Sequence, residues 1–184
     1  MKYIGTKVLE TERLILRRLS MDDAVEAYNN WCSDEDVARY VVWNKHRNVG
    51  ETYALFDIWE KMYEKLSTYR WIVEDKETHE LMGTIDVCNE KFDVCEIGYC
   101  YGKKFWGKGY ATEALKEVIK FLFEECDVYM VTADHMSLNP ASGKVMIKAG
   151  MDYEATLKER ALTKDGQRND LLTYTLSKNK YFNK

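Results

Sequence analysis

Alternating hydrophobic and polar residues near the start of the chain predict a strand followed by a helix. Over residues 11–19, Leu14 and Leu16 lie two positions apart with Arg13, Arg17 and Arg18 around them, which is the pattern of a half-buried strand. Ser20-Met-Asp-Asp23 then resembles a capping box, in which two side chains satisfy free backbone N–H groups at a helix start. We therefore expect a helix from this box to about residue 32.

A second capping box, Asn48-Val-Gly-Glu51, predicts a helix that carries an aromatic stripe. The stripe recurs at helical spacing and consists of Tyr53, Phe56, Trp59, Tyr63 and Leu66. Such a stripe usually packs in a core, but helices beside binding clefts also use aromatic residues as a substrate wall. The pattern leaves both interpretations open.

The middle of the chain predicts three consecutive antiparallel strands, over residues 69–74, 80–88 and 94–101, because short polar turns join three β-rich runs. A glycine-rich turn then leads into the most amphipathic helix, residues 110–125. A short apolar run over residues 128–133 follows it. A strand, a helix and a strand in this order predict one parallel pair.

The last part of the chain predicts a helix over residues 140–149, with Gly150 as its C-cap. Two strands follow, over residues 151–162 and 168–176, and a Lys164-Asp-Gly-Gln turn joins them. The expected fold is α+β, a mixed α/β sandwich. It has a mostly antiparallel sheet of six to seven strands with one parallel pair, and helices on both faces.

The composition suits a single domain over residues 1–184, because a chain of this length buries roughly two thirds of its unfolded surface without metal or disulfides. Its five cysteines are odd in number and form no Cys-x-x-Cys pair, so we expect neither a disulfide framework nor a metal site. No signal-peptide pattern or bilayer-length apolar run is present. We expect a soluble, cytoplasmic protein with no membrane partner.

The net charge of −4 and the isoelectric point near 5.5 argue against a nucleic-acid partner, since affinity for nucleic acid depends on neutralising phosphates. An amine-bearing, cationic substrate suits this charge better.

The turn Gly107-Lys-Gly109 lies between a predicted strand and the start of a predicted helix. Backbone N–H groups at such a place hold phosphate oxygens, although a tight turn that only needs positive φ has the same pattern. A P-loop is a near match, but Gly109 stands where the magnesium-binding hydroxyl is required. The dinucleotide fingerprint fits less well, because Thr112 occupies its third small position and the motif lies past mid-chain.

Blocks of sequence along nearly the whole chain resemble the motifs of the GNAT N-acetyltransferase superfamily. The resemblance is greatest to the branch that contains the ribosomal-protein N-terminal acetyltransferases. The blocks are Thr11–Arg17, Glu96–Tyr99, Trp106–Leu115, Asn139–Ser142 and Lys148–Gly150. The resemblance implies the GNAT fold and an enzyme that moves an acetyl group from acetyl-CoA to a primary amine.

The resemblance also implies where acetyl-CoA binds as co-substrate. The family pairs the pantetheine arm with a strand backbone, here Tyr99 to Tyr101, and holds the pyrophosphate on the turn through backbone N–H groups. The family turn begins with Gln or Arg, and Trp106 departs from this, which should matter less than added bulk at Gly107 or Gly109. The implied cofactor-binding residues are Tyr99, Cys100, Tyr101, Trp106, Gly107, Lys108, Gly109, Tyr110, Ala111, Thr112, Asn139 and Ser142.

Acyl transfer to an amine needs a stabilised oxyanion and a proton for the leaving thiolate. By resemblance, a backbone N–H near Tyr99 stabilises the oxyanion. Many family members donate the proton from a tyrosine, but Met146 occupies that position and has no proton to give. Ser142 is the substitute that the ribosomal-protein branch suggests, although a serine in the first helical turn is often a cap. Asn139 either caps this helix or contacts the pantetheine through water.

The general base is open from the sequence. Glu96 lies on the implied cofactor strand and is either the base or a solvated strand residue. The ribosomal-protein enzymes place a glutamate in the strand after the last helix, where this chain has Ala161, with Glu159 two residues earlier on the expected face. This departure puts a ribosomal substrate in doubt. A lone histidine such as His135 is more often structural.

Three functions remain open. The first is acetylation of a primary amine, a protein N-terminal α-amine included, by direct attack on the thioester, since no cysteine is paired in sequence with an activating histidine. The second is acetylation of a small amine such as a polyamine or an aminoglycoside. The third is a non-catalytic acyl-CoA-binding module. A monomer and a homodimer are equally compatible with the sequence.

Overall fold

The structure, a computed structural model, describes residues 1–183. Its strands are β1 (Leu9–Glu10), β2 (Leu14–Arg17), β3 (Arg70–Asp75), β4 (Leu81–Lys91), β5 (Val94–Tyr101), β6 (Met130–Met136), β7 (Asp152–Leu162) and β8 (Arg168–Ser177). Its α-helices are α1 (Ala24–Ala27), α2 (Glu35–Ala38), α3 (Val49–Met62), α4 (Tyr110–Glu124), α5 (Pro140–Lys148) and α6 (Lys178–Phe182).

Within these described residues the eight strands form one sheet in the order β1-β2-β3-β4-β5-β6-β8-β7. β5 and β6 pair in parallel, with Val94 opposite Met130, and the other pairs along β1 to β3 and β6 to β8 are antiparallel. The mixed sheet with one parallel pair, predicted from the strand-helix-strand order, is therefore confirmed. The two-residue strand β1 is too short to show an alternating pattern.

The described chain groups into two compact units. The first unit comprises residues 3–86 and 99–110, and the second comprises residues 1–2, residues 87–98 and the chain from Ala111 on. Both units take residues from β4 and β5.

The core of the first unit contains Leu14 and Leu16 of β2, both fully buried, as their alternation predicts. Ser20 and Asp23 form the expected capping box before α1. A turn of π-helix over Tyr28–Cys32 continues α1 to the expected end of this segment. The predicted first helix is thus present, with a change of winding in its second half.

The aromatic stripe of α3 divides between core and surface. Phe56 and Tyr63 are buried in the first unit's core, which contains Trp31 and Ile72, and Trp59 packs against that core partly buried. The remaining members, Tyr53 and Leu66, are exposed. The helix is capped by Asn48, whose side chain accepts from the Glu51 N–H at 3.3 Å.

In the second unit, α5 packs against β6, β7 and β8. The helix ends before Gly150, whose φ of +94° fits the predicted C-cap.

The turn between β4 and β5 places Phe92 and Asp93 at φ values of 55° and 60°. Two consecutive left-handed residues are typical of a tight two-residue hairpin turn, which matches the twist of antiparallel strands.

Candidate functional site

The connection from β5 to α4 belongs to the first unit as far as Tyr110, and its turn contains two glycines. Gly107 and Gly109 have φ values of +74° and +85°. A side chain in this left-handed region costs roughly 1 kcal/mol, so the backbone conformation itself favours glycine. A Cβ added at Gly107 would meet no atom within 4 Å, which leaves the surface of the turn open.

Helix α4 begins at Tyr110, directly after the second glycine, and runs through Ala111 and Thr112. The first N–H groups of an α-helix have no partner within the helix and lie at the positive end of its dipole. An open glycine turn that leads into such a helix start is suited to an anion such as a phosphate. Gly107 and Gly109 have the left-handed conformation expected of the turn, and the binding of phosphate there stays a prediction.

Trp106 anchors the start of this turn. Its indole N–H donates to the backbone oxygen of Tyr101 at 2.7 Å, which ties the turn to the last residue of β5. The side chain is 48% exposed, so this bond rather than burial fixes its position. Phe105 beside it is buried and packs edge-on against Tyr110, with ring centroids 6.3 Å apart.

Arg13 lies against the same turn and was not among the residues that the sequence predicts for the site. Its Nη1 donates to the backbone oxygen of Lys108 at 3.2 Å, and its guanidinium carbon lies 4.4 Å from the ring centroid of Tyr110. Its Nη2 would be 3.5 Å from a Cβ added at Gly109. Arg13 therefore adds a positive charge beside the turn. The sequence shows only that Arg13 directly precedes the apolar residues of β2, because a contact between residues 95 positions apart leaves no local signal.

The end of β5, from Tyr99 to Tyr101, lies close to β4 in the first unit. A Cβ on Gly83 would collide with the backbone oxygen of Cys100, so only glycine allows the two strands to approach here. The Cys100 thiol lies 3.6 Å from the Thr84 hydroxyl. Burial raises the pKa of Cys100 to about 11, which disfavours the nucleophilic thiolate form.

Ser142 and Asn139 lie at the start of α5, in the second unit. Asn139 is the N-cap residue, and its side chain makes no capping hydrogen bond. Ser142 is the third residue of the helix, half-buried, and its N–H donates to the Asn139 backbone oxygen at 3.2 Å. Ser142 is thus in the first turn as expected, but it does not occupy the N-cap position. Met146 is buried in the core.

Glu96 lies on the part of β5 that belongs to the second unit, opposite Thr132 of β6. Its backbone oxygen accepts from the Cys88 thiol at 3.3 Å, and within residues 1–183 no ion pair or hydrogen bond holds its carboxylate. The structure therefore leaves Glu96 half-buried without a fixed side-chain partner.

His135 has a packing role in the second unit. Its Nδ1 lies 2.7 Å from the Met136 backbone oxygen and therefore donates to it. Its ring lies parallel to that of Tyr174 at 5.6 Å, and a Cβ on Gly143 of α5 would be 2.5 Å from its Nε2. Glycine at this position lets α5 rest directly on the histidine ring, which agrees with the structural interpretation of His135.

The predicted site residues thus lie in both units. Tyr99 to Tyr101 and Trp106 to Tyr110 belong to the first unit, and Glu96, Ala111, Thr112, Asn139 and Ser142 belong to the second. Within residues 1–183, no group of three or more His, Cys, Asp or Glu side chains is arranged to hold a metal ion. None of the described helices is long and apolar enough to cross a membrane.

Residues 13–152 match the family model of the acetyltransferase (GNAT) domain. The chain belongs to the GNAT family. The resemblance inferred from the sequence motifs is therefore confirmed, and the chain is an acyltransferase of this family.

Relatives of this GNAT chain match it over nearly its full length. The Bacillus subtilis (strain 168) protein named uncharacterized N-acetyltransferase YoaA is 28% identical over 173 residues, which are 93% of this chain and 97% of the relative. The [ribosomal protein uS5]-alanine N-acetyltransferase of Escherichia coli (strain K12) is 25% identical over 170 residues, 88% of this chain and 86% of the relative. The Escherichia coli relative agrees with the ribosomal-protein branch that the motifs indicate.

A solved GNAT structure shows the same fold. The ribosomal L7/L12 α-N-protein acetyltransferase, in complex with coenzyme A, superposes with a TM-score of 0.82 at 14% identity and covers 93% of this chain and 98% of its own. At that identity the likeness concerns the fold.

Proposed function

We propose that this GNAT chain transfers the acetyl group of acetyl-CoA to a primary amine by direct attack, and that a protein N-terminal α-amine is the first acceptor to test. The observation that carries the proposal is the open, left-handed turn at Gly107 and Gly109 directly before α4. Family membership supplies the reaction class, and this turn supplies the place for the phosphate groups of the co-substrate.

The residues of the turn fit a pyrophosphate group. Its backbone conformation leaves N–H groups at a helix start available, and open space surrounds Gly107 where a side chain would otherwise stand. Arg13 adds a guanidinium beside Gly109. A magnesium nucleotide fits less well, because Gly109 has no hydroxyl for the metal.

Bound acetyl-CoA supplies an activated acyl group as a thioester, and the residues of this chain orient it and move protons. We assign the pantetheine arm to the backbone of Tyr99 to Tyr101 and the oxyanion to a backbone N–H near Tyr99. Asn139 is assigned to positioning the arm, which agrees with its side chain not being used as a helix cap. Ser142 is assigned to protonating the thiolate, and Glu96 is one candidate for the base.

The choice of acceptor follows from the relatives and from the net charge. One relative is named for acetylating an alanine of a ribosomal protein, which makes an alanyl N-terminus a direct probe. The net charge of −4 suits an amine-bearing acceptor. Ala161 is buried and carries no carboxylate where the ribosomal-protein branch places a glutamate, which favours small amines such as polyamines or aminoglycosides as a second class.

Calorimetry with coenzyme A tests the turn. Gly109→Glu adds bulk and a negative charge, and it should weaken binding at least about tenfold. Gly166→Glu is a matched control, because Gly166 also has a positive φ of +82° and open surroundings but lies in the β7–β8 turn. Equal affinities of the two variants, or binding of magnesium-ATP that Gly109→Glu does not change, would contradict the assignment.

A panel of amines tests the reaction. An alanyl hexapeptide, spermidine and kanamycin are each incubated with acetyl-CoA, and free thiol is measured together with the mass of the acceptor. Release of thiol with a matching acetylated product supports the transfer. Tight coenzyme A binding without any acetylated product from the panel would favour the acyl-CoA-binding module instead.

A further inference from the structure

A charged pair of residues that the GNAT motifs do not include lies on one face of the sheet in the first unit. Arg70 of β3 and Asp86 of β4 are directly opposite each other, and Arg70 Nη2 lies 2.5 Å from Asp86 Oδ2. Each side chain is 15% exposed. The guanidinium carbon of Arg70 lies 4.0 Å from the ring centroid of Trp59, so the indole of α3 covers the guanidinium.

The Arg70–Asp86 ion pair is weak evidence of a contribution to stability. The desolvation cost of a buried ion pair often exceeds its Coulombic gain, and apolar residues of similar volume serve stability as well or better. The pair is also incompletely satisfied. Arg70 Nε is buried and has no hydrogen-bond partner within residues 1–183, and in that part of the chain Arg70 is the only group that forms an ion pair with the Asp86 carboxylate. Buried charges with unused bonding capacity are typical of functional sites.

Asp86 lies beside the end of β5 to which the co-substrate was assigned. Thr84 is two residues before Asp86 on β4 and therefore shares its face, and the Thr84 hydroxyl contacts the Cys100 thiol. Besides burial, the negative charge of Asp86 is one of the causes that raise the pKa of the Cys100 thiol. Cys100 is the middle residue of Tyr99 to Tyr101, so Asp86 lies on the face of β4 that carries the Thr84–Cys100 contact, beside the strand segment where the acyl group is proposed to bind.

We infer that Asp86 is the general base that takes the proton from the acceptor amine, held in place by Arg70 under the Trp59 ring. The inference rests on the proposed function and names a base for it. Unlike Glu96, Asp86 has a partner that fixes one carboxylate oxygen, and within residues 1–183 its other carboxylate oxygen accepts no hydrogen bond.

The proton and electron balance is complete without another reactant. The ammonium group of the acceptor gives one proton to Asp86, and the nitrogen keeps the electron pair. That pair forms the C–N bond to the acyl carbon, and the C–S bond breaks with its electrons left on sulfur. The thiolate takes one proton from Ser142, and the second proton of the nitrogen, lost as the amide forms, passes through water to the Ser142 oxygen and restores its hydroxyl. Asp86 returns its proton to water.

The titratable groups around Asp86 favour this role. Burial raises the pKa of the Asp86 carboxyl, and the Arg70 charge opposes that increase. Tyr63, at the end of α3, and Cys100, on β5, are the other titratable side chains that interact with it. Burial raises the pKa of Tyr63 to about 12 and that of Cys100 to about 11, so both are neutral at pH 7. A carboxylate whose pKa is shifted towards the working pH is a better base than an ordinary aspartate.

The pH dependence of Asp86→Asn tests the inference, with the alanyl hexapeptide and acetyl-CoA as substrates. Asn keeps the shape and can accept the Arg70 bond, but it cannot take a proton. At pH 7 kcat/KM should fall about 10² to 10⁴-fold, the usual contribution of a general base. Above pH 7, kcat/KM of Asp86→Asn should rise about tenfold per pH unit up to the α-amine pKa of about 8, since in this variant only the neutral amine reacts. Coenzyme A affinity should not change.

Asp57→Asn is the matched control, because it removes the same charge from an exposed ion pair with Lys61 on α3 and should leave activity unchanged. A uniform loss at all pH values in Asp86→Asn would indicate a structural role and overturn the inference. The inference is also overturned if kcat/KM of Glu96→Gln, and not that of Asp86→Asn, rises tenfold per pH unit. If the wild type acetylates no member of the amine panel, the proposed function itself fails and the inference fails with it.

Two measurements do not depend on Asp86→Asn being active. In an NMR spectrum of enzyme with ¹³C-labelled aspartate carboxyls, the Asp86 signal is identified as the one that is absent from the Asp86→Asn variant. In the wild-type enzyme this signal should titrate above the ordinary aspartate pKa of about 3.9. Titration at or below that value would overturn the inference. In Arg70→Gln, the loss of the guanidinium should move the acidic limb of kcat/KM to higher pH. An unmoved limb would show that another group titrates.

Discussion

The indole N–H of Trp106 and the backbone oxygen of Tyr101 form a 2.7 Å hydrogen bond across the turn that follows β5. The GNAT motif has Gln or Arg at this position, and both are hydrogen-bond donors. Trp106 therefore departs from the motif in shape but keeps a donor. Its role in this chain is to hold the start of the glycine turn to the strand.

Trp106→Phe should destabilise the protein modestly, because it keeps an aromatic ring and removes the donor. We expect a loss of about 0.5 to 1.5 kcal/mol in the free energy of unfolding, measured by urea denaturation. Coenzyme A should bind up to about tenfold more weakly, since about 1.4 kcal/mol corresponds to a factor of ten. Trp106→Gln restores a donor and should recover part of both losses. If Trp106→Phe changes neither quantity, the bond does not support the turn.

Arg13→Gln should weaken coenzyme A binding about tenfold, because it removes both a positive charge and the bond to the Lys108 backbone oxygen. Calorimetry at low and high salt measures the effect, which should shrink as salt screens the charge. Arg39→Gln serves as control, since Arg39 is an exposed arginine paired with Asp36. Equal behaviour of the two variants would show that Arg13 only packs on Tyr110.

Cys100→Ala should retain turnover, because the reaction is proposed to proceed without an acyl-cysteine. Burial holds the pKa of the Cys100 thiol at about 11, so little thiolate is present near pH 7. Cys88→Ala, at an exposed cysteine, is the comparison. Loss of turnover in Cys100→Ala with intact coenzyme A affinity, or an acetylated enzyme trapped by mass spectrometry, would establish a covalent mechanism instead.

Features with a local physical cause could be predicted from the sequence. The capping boxes at Ser20 and Asn48, the C-cap at Gly150 and the left-handed turn at Gly107 each depend on a few neighbouring residues. The parallel pair followed from chain order alone, because a strand, a helix and a strand connect that way.

Features that depend on distant contacts could not be predicted. Arg13 and Lys108 meet across 95 residues, and the pairing of Arg70 with Asp86 depends on the register of β3 against β4. Glu159 shows a different limit. Its φ of +55° lies in a bulge of β7, so the alternation that placed it on the face of Ala161 does not hold there.

Ser142→Ala should lower kcat at least tenfold at unchanged coenzyme A affinity, if Ser142 protonates the leaving thiolate. Asn139 rather than Ser142 occupies the N-cap position of α5, and the buried Met146 has no proton to donate. A general acid typically contributes about 10² to 10⁴ in rate, whereas a lost cap costs roughly 1 kcal/mol of stability and does not affect the chemical step. Steady-state kinetics and thermal denaturation of the same samples separate these effects.

The control for Ser142→Ala is Ser177→Ala, because Ser177 is a true N-cap whose side chain accepts from the Lys180 N–H of α6 at 3.3 Å. Ser177→Ala should lose stability and keep its turnover, the opposite of what Ser142→Ala should do. An acyl donor whose thiol is more acidic should also reduce the Ser142→Ala defect, since its thiolate leaves without a proton. If Ser142→Ala instead behaves like Ser177→Ala, Ser142 only stabilises the helix and the thiolate takes its proton from water.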